Sequence, residues 1–160
     1  VIGETKGHLS SSAYERSILN FQETKKTSIA PSTDLDLEIK ISKIILYLIK
    51  NSLVTACHDV SDGGILAAVL EMCVARRVGF NFSKLTQNHR YLFGEDQSRY
   101  LVAINKSKIN EAARILNKNK IKHQKLGFFS NKNPLLIFPD KSSIKLNDIV
   151  KSRKLWEKKV

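Results

Sequence analysis

Apolar positions recur at helical spacing over Leu37, Ile41, Ile44, Ile45 and Leu48, which predicts one buried face of a helix over residues 35–52. Thr33 or Asp34 can cap its start, and Asp36 and Glu38 suit the positive end of the helix dipole. The preceding residues, 1–34, read as an irregular N-terminal segment, polar and interrupted by Ser10-Ser11-Ser12 and Pro31-Ser32-Thr33-Asp34. After the helix, Val54-Thr55-Ala56-Cys57 reads as a short buried strand that runs into the turn His58-Asp59-Val60-Ser61-Asp62-Gly63-Gly64. Ile65, Val69, Met72 and Cys73 mark the apolar side of a second helix ending near Arg77. Gly79 closes that helix, and Phe80-Asn81-Phe82 alternates as a strand. Residues 84–97 read as a loop, Arg99 to Ile104 as a strand and Ile109 to Leu116 as a helix. Two strands, about 121–128 and 135–138, follow in hairpin-like succession, and a last helix runs from near Leu146 to Trp156. Crossovers mixed with adjacent strands predict an α/β fold, an α+β sandwich with a mixed β-sheet and helices packed mainly on one face.

The 160 residues suit a single domain, 1–160, with a real core. The longest apolar stretch, Ile39 to Val54, is broken by Lys40, Lys43, Lys50 and Asn51, so no membrane span is expected. Val1-Ile2-Gly3-Glu4 has neither a Met nor a basic, then apolar, leader pattern, and reads as a point inside a longer polypeptide. Cys57 and Cys73, in apolar surroundings without metal-ligand spacing, read as reduced buried thiols of a cytoplasmic protein. The formal charge of +12 invites a nucleic-acid or membrane partner, but neither is expected. The lysines are scattered among Ile and Asn, as A+T-rich coding produces, and no RNA-binding aromatic signature accompanies them. The densest cluster, Lys151 to Lys159, suits the solvated face of a terminal helix.

Chemistry is concentrated in two turns. At His58 to Gly64, a strand feeds a helix through glycines, the place where α/β folds present free N–H groups to anionic ligands. Asp59 and Asp62 lie three residues apart there and suit Mg²⁺, which would itself bind a phosphate. From spacing alone, Ser61 and Asp62 as helix caps, with Gly63-Gly64 permitting close packing, is the plainer reading. The second turn, Gly94-Glu95-Asp96-Gln97-Ser98-Arg99, sets three acceptor side chains in a row before a strand, where a solvated acidic loop is the simple alternative. Cys57 and His58 point to opposite faces of a strand and are poorly placed as nucleophile and base. His89 and His123 have no helix-spaced partner, so zinc has no support.

These residues carry a resemblance. His58 to Gly64, followed by Ile65 to Met72, is similar to the His-Asp-Val-Ser-Asp-Gly-Gly-Leu…Glu-Met signature of the synthetase subunits of phosphoribosylformylglycinamidine synthase. Leu92 to Tyr100 resembles that family's Phe-Gly-Glu-Asp-Gln-x-Arg-Tyr segment, and Gly3 to Leu9 with Ser12-x-Tyr14 resembles its segment ending in Leu-Gly-Gly-Ser-x-Tyr. Trp156-Glu157 is similar to its closing residues. Related ligases and kinases share only the Asp-x-x-x-Gly-Gly core.

The resemblance implies the second, C-terminal copy of a domain that follows an ATP-binding domain. The parent would be an ATP-dependent carbon–nitrogen ligase that amidates formylglycinamide ribonucleotide in purine synthesis, with Mg²⁺ and ATP or ADP as cofactors. Its ammonia would come from a glutaminase subunit. It further implies ligand- or nucleotide-facing positions at His58, Asp59, Ser61, Asp62, Gly63, Gly64, Glu95, Asp96, Gln97 and Arg99, with Asp59 and Asp62 toward Mg²⁺ and no catalytic residue assigned. The fragment alone would be inactive, a framework or an auxiliary nucleotide site, packed against the absent N-terminal ATP-binding domains and given to weak self-association. A free-standing nucleotide- or metabolite-binding regulatory module is the alternative. Two departures stand out: Ser10-Ser11 replaces the usual Gly-Gly, and Asp96 replaces the serine of the catalytic copy, where it would repel phosphate unless a cation intervened.

Overall fold

The computed structural model describes residues 1–18, 29–83 and 88–157, with side chains described to residue 152. Residues 84–87 of the expected loop, the middle of the segment 1–34, the Trp156 side chain and Lys159 of the basic cluster lie outside the described residues. In chain order the elements are α1 (Ala13–Ile18), α2 (Leu35–Lys50), β1 (Ala56–Asp59), α3 (Gly64–Arg76), β2 (Gly79–Phe82), α4 (His89–Phe93) and β3 (Tyr100–Ala103). A short 3-10 turn (Lys106–Lys108) then leads into α5 (Ile109–Lys118), β4 (Gly127–Ser130), β5 (Leu135–Ile137), β6 (Ser143–Lys145) and α6 (Leu146–Glu157). The class is α/β, with helices and mixed strand pairing. The chain divides into two compact units, the first made from the described residues of 1–68 and 88–124, the second from those of 69–87 and 125–160.

In the first unit, β1 pairs antiparallel with β3, Ala56 opposite Ala103 and Asp59 opposite Tyr100. Ile2 bridges to Tyr100, giving and receiving backbone hydrogen bonds of 2.8 and 2.9 Å. The predicted helix appears as α2. Asp34 caps it through Oδ1 to the Leu37 N–H at 2.9 Å, and Asn51 Nδ2 closes it on the Tyr47 carbonyl at 2.8 Å. Its buried face, Ile41, Ile44, Ile45 and Leu48, joins Ile2, Leu53, Ala112, Leu116 and Ile121 in one core. Each of the Ile and Leu side chains contributes about 1.5–3 kcal/mol on burial.

The second unit holds a four-stranded sheet in the order β4-β2-β5-β6, with β2–β5 parallel and the other pairs antiparallel. Phe80, Phe82 and Leu136 are buried in it, and Phe80 meets Phe82 and Phe129 edge-on at 4.8 and 4.9 Å.

Several elements differ from the sequence reading. A mixed sheet is predicted; among the described residues the strands form two sheets. The pair read as a hairpin, 121–128 and 135–138, becomes β4 and β5 on either side of β2, because turn signals record that the chain reverses and not which strand it reaches. β6 has no counterpart in the reading, and its exposed Ser143-Ile144-Lys145 gives hardly any periodic signal. The expected loop contains α4, capped by Asn88 accepting the Arg90 N–H at 2.9 Å, and the segment 1–34 contains α1. The strand predicted at 54–57 lies two residues later, and its Ala56, Cys57 and Asp59 are exposed rather than buried. Cys73 is buried as predicted; Cys57 is not. Among the described residues, no helix is long and apolar enough to cross a membrane.

Candidate functional site

The turn after β1 is held from outside itself. Gly63 and Gly64 both take positive φ, 76° and 69°, which lets the chain reverse sharply into α3. A Cβ on Gly64 would lie 2.7 Å from the Leu92 carbonyl oxygen and 2.8 Å from that of Gly94, so the backbone at the end of α4 seats directly on this glycine. Val60 donates to the Arg99 carbonyl at 2.9 Å, fixing the end of β1 against the start of β3. The Gly63 N–H, a donor at the amino end of α3, goes to Glu95 Oε1 at 2.8 Å.

That bond bears on the capping reading of Ser61 and Asp62. Neither side chain makes a hydrogen bond among the described residues, so neither acts as the local cap. Glu95 fills that role from thirty-two residues away. Ser61 and Asp62 stay exposed, as does Asp59, whose side chain is 69% accessible. His58 lies behind them, its Nδ1 2.6 Å from the Asp59 carbonyl oxygen and 3.4 Å from its carboxylate. The turn therefore presents two carboxylates and a hydroxyl to solvent, an oxygen donor set suited to a hard cation such as Mg²⁺. The described residues contain no cluster of three or more His, Cys, Asp or Glu able to hold a metal by themselves.

The residues of the second turn part ways. Glu95 faces the first turn, and its Oε1 also accepts the Ala13 N–H at the start of α1, at 2.8 Å. Asp96, 6% exposed, is turned inward: Oδ2 accepts the Lys6 and Gly7 N–H groups at 2.9 Å and Oδ1 accepts the His8 N–H at 3.2 Å. Arg99, 2% exposed, is more deeply buried still. It donates to the carbonyls of Asp96 at 2.9 Å and Gly94 at 2.5 Å and to Thr5 Oγ1 at 3.3 Å, with Nη1 3.9 Å from the Asp96 carboxylate. Burial pulls its guanidinium below the usual arginine range, and Asp96 pushes back. The sequence places Asp96 and Arg99 facing a ligand; they instead lock residues 5–8 to the strand start. At this geometry three backbone N–H groups surround the Asp96 carboxylate. Gln97 is exposed and lines a separate cavity in the first unit.

The sequence reading missed α1 and the loop 5–8 as parts of this clamp. The signal for α1 is present: Ser12-Ala13-Tyr14-Glu15 has capping-box spacing. Ser12 Oγ accepts the Glu15 N–H at 3.1 Å, and Glu15 Oε2 accepts the Ser11 N–H at 2.6 Å. Ser11 adopts φ 57°, the left-handed conformation that a glycine would take freely. Cys57 has no nucleophilic setting, since partial desolvation by the surrounding chain and the neighbouring Asp59 raise its thiol above the usual range. His89 stacks on Tyr14 at 5.7 Å, and His123 Nδ1 bonds the Ile121 carbonyl at 3.0 Å.

Residues 1–133 match the family described as AIR synthase related protein, C-terminal domain. The phosphoribosylformylglycinamidine synthase subunit PurL of Pelagibacter ubique is 36% identical over 159 residues, 98% of this chain and 21% of that protein. Its counterpart in Caulobacter vibrioides is 41% identical over 105 residues, 64% of this chain and 14% of that protein. The chain thus spans about a fifth or less of the curated relatives it matches. In fold it resembles Thermotoga maritima PurL complexed with FGAR, with a TM-score of 0.68, 17% identity and coverage of 84% of this chain and 24% of that one. T. maritima PurL complexed with ATP gives 0.59 at 16% identity, covering 68% and 20%.

Proposed function

Since this chain belongs to the family of AIR synthase related protein C-terminal domains, we propose that it is the C-terminal domain of a phosphoribosylformylglycinamidine synthase synthetase subunit. The parent enzyme is an ATP-dependent carbon–nitrogen ligase of purine synthesis, working in the cytoplasm with ammonia from a glutaminase subunit. What supports the reading is the 36% identity to a relative matched over 98% of this chain, together with the same turn sequences meeting in space.

Within that enzyme, residues 1–160 act as one domain that holds an auxiliary nucleotide site or a framework for it, and the domain alone lacks synthetase activity. The single observation that carries this role is the β1–α3 turn, where Asp59 and Asp62 are exposed while Glu95 takes the Gly63 N–H that a phosphate would otherwise receive. A Mg²⁺ ion bound there with a nucleotide would neutralise phosphate charge. The chain's own residues supply two carboxylates to hold that ion and a rigid turn to space them.

The ATP-binding domains that precede this one in the parent are its first partners. Leu35, Ile39, Leu46 and Ile49 are all exposed along α2, away from its buried face, and offer an apolar stripe for such a contact. The same stripe would drive weak self-association of the isolated chain.

Calorimetric titration of Mg-ADP and Mg-ATP into the purified chain, repeated with Asp59→Asn, tests the nucleotide role. Micromolar binding that the substitution removes is the expected result for an auxiliary site. Turnover of the ribonucleotide by the isolated chain would overturn the inactive-half reading.

A further inference from the structure

Two unpartnered features of the first unit lie side by side. One is the outer edge of β1, which has β3 as its neighbour and no strand on its other side among the described residues. Val60 donates to the Arg99 carbonyl at 2.9 Å, in the register that sets Asp59 opposite Tyr100. Antiparallel bonding alternates along a strand, so Val60 and His58 turn their backbone groups toward β3, while Cys57 and Asp59 turn theirs outward. Ala56 and Cys57 point to opposite faces and both are exposed, so the strand is uncovered on each side as well.

The other is a flank of α2. Leu35, Ile39, Ser42, Leu46 and Ile49 follow one another at intervals of four, three, four and three residues, the spacing of a seam that packs against another helix. The four apolar members are between 46% and 70% exposed, and Ser42 turns its hydroxyl back to the Ile39 carbonyl at 3.0 Å. Leu35 and Ser42 lie three and four residues from Glu38, so the seam runs along that residue's side of the helix. Glu38 accepts the Tyr100 hydroxyl, and Tyr100 sits opposite Asp59 of β1. Leu37 instead shares a cavity wall with Glu4 and residues 6–8. The step from Leu37 to Glu38 therefore leads from the side of residues 4–8 toward β1, and the seam continues in that direction. Cys57 belongs to the same layer, since it sits opposite Val102, which packs against the core that holds α2.

We propose that this face joins two copies of the chain about a two-fold axis, β1 against β1 and α2 against α2. An occupant has to bring a strand edge and, beside it, an apolar helix seam, and this chain carries that pair. A two-fold axis perpendicular to the sheet makes both contacts antiparallel at once. Centred on Cys57, it uses the outward N–H and C=O of that residue in both directions and sets Thr55 opposite Asp59 of the second copy. Centred on Asp59, it would oppose two carboxylates, which is unfavourable. The seam has no charged member, which favours self-contact in a chain of net charge +12 whose copies repel elsewhere. The contact is isologous and closes at two copies. It does not depend on the nucleotide role proposed for the β1–α3 turn.

The test is sedimentation of the 160-residue chain at rising concentration, together with cross-linking by a short bismaleimide. A monomer–dimer equilibrium is expected. In the dimer the two Cys57 residues face each other with Cα atoms about 5.5 Å apart, and the reagent is expected to join them. Cys73 is buried, so Cys57→Ser is expected to abolish the covalent dimer while leaving the equilibrium in place. Cys57→Pro removes an outward N–H and spares the bonds to β3, and Ile39→Glu puts a charge into the seam. Each is expected to weaken dimerisation at least about tenfold, with melting curves of the dilute proteins confirming the fold. A monomer at every concentration would overturn the proposal and leave this face to another part of a longer chain. So would assembly beyond the dimer, a dimer that both substitutions leave unchanged, or one that the reagent does not link through Cys57.

Discussion

Glu95 Oε1 accepts the backbone N–H of Gly63 at 2.8 Å, and the same oxygen accepts the N–H of Ala13 at the same distance. One carboxylate thus ties the first helix, the glycine turn and the entry to β3 into a single arrangement. Its neighbour Asp96 does the same for residues 6–8, so two consecutive acidic side chains organise three separate stretches of backbone. The turn that carries the exposed pair Asp59 and Asp62 is held by this clamp together with its own bond from the Gly64 N–H to the Ser61 carbonyl, at 3.0 Å.

Removing the Glu95 carboxylate therefore has a structural and a functional consequence. Glu95→Ala leaves two N–H groups without their charged acceptor and is expected to lower stability by about 2–4 kcal/mol. Glu95→Gln keeps an acceptor oxygen and should lose about 1 kcal/mol. Urea denaturation midpoints of the three proteins check the order. Equal midpoints for Glu95→Ala and the parent chain would show that the clamp does not hold the turn.

Ser11 offers a gain. It holds φ 57°, and a side chain in that region costs free energy that glycine avoids. Its backbone N–H bonds Glu15 and would survive the exchange. Ser11→Gly is expected to stabilise the chain by about 0.5–1 kcal/mol, the entropy of the freer unfolded chain offsetting part of the relief. A lower melting temperature in Ser11→Gly would refute the account.

What could be read from the sequence divides along physical lines. α2 was legible from end to end because its capping aspartate and its Ile41–Leu48 face are local signals. The two turns were legible as a pair, because acidic and glycine residues are sparse in a lysine-rich chain. The inward rotation of Asp96 was not, since an acidic side chain looks alike in sequence whether water or three N–H groups surround it. The exposure of β1 was hidden for a related reason. An apolar run records a tendency to be covered and says nothing about whether this chain supplies the cover.

The apolar stripe on α2 gives a prediction for the isolated chain. Leu46 is 54% exposed and lies opposite the buried Ile41–Leu48 face, so replacing it should spare the core. Sedimentation at rising concentration is expected to show weak self-association that Leu46→Glu reduces, with melting temperature unchanged. A monomer at every concentration would mean that the stripe is too small to hold a second copy.

Tyr100 supplies a pH dependence. Its hydroxyl donates to Glu38 on α2, linking β3 to that helix, and the bond together with burial pushes its pKa up to about 12. In the unfolded chain the phenol ionises near 10. Below pH 10 the hydroxyl is protonated in both states and the contribution to stability is fully present. Between about 10 and 12 the unfolded chain releases its proton while the folded one keeps it, so stability falls as pH rises. Tyr100→Phe removes the titrating group and with it this part of the alkaline slope, at the cost of a hydrogen bond at neutral pH. Lysines also titrate in this range, so the informative quantity is the difference between the two proteins' urea midpoints from pH 8 to 12. The gap should narrow above pH 10; a constant gap would mean that the Tyr100 hydroxyl ionises in the folded chain as readily as in the unfolded one.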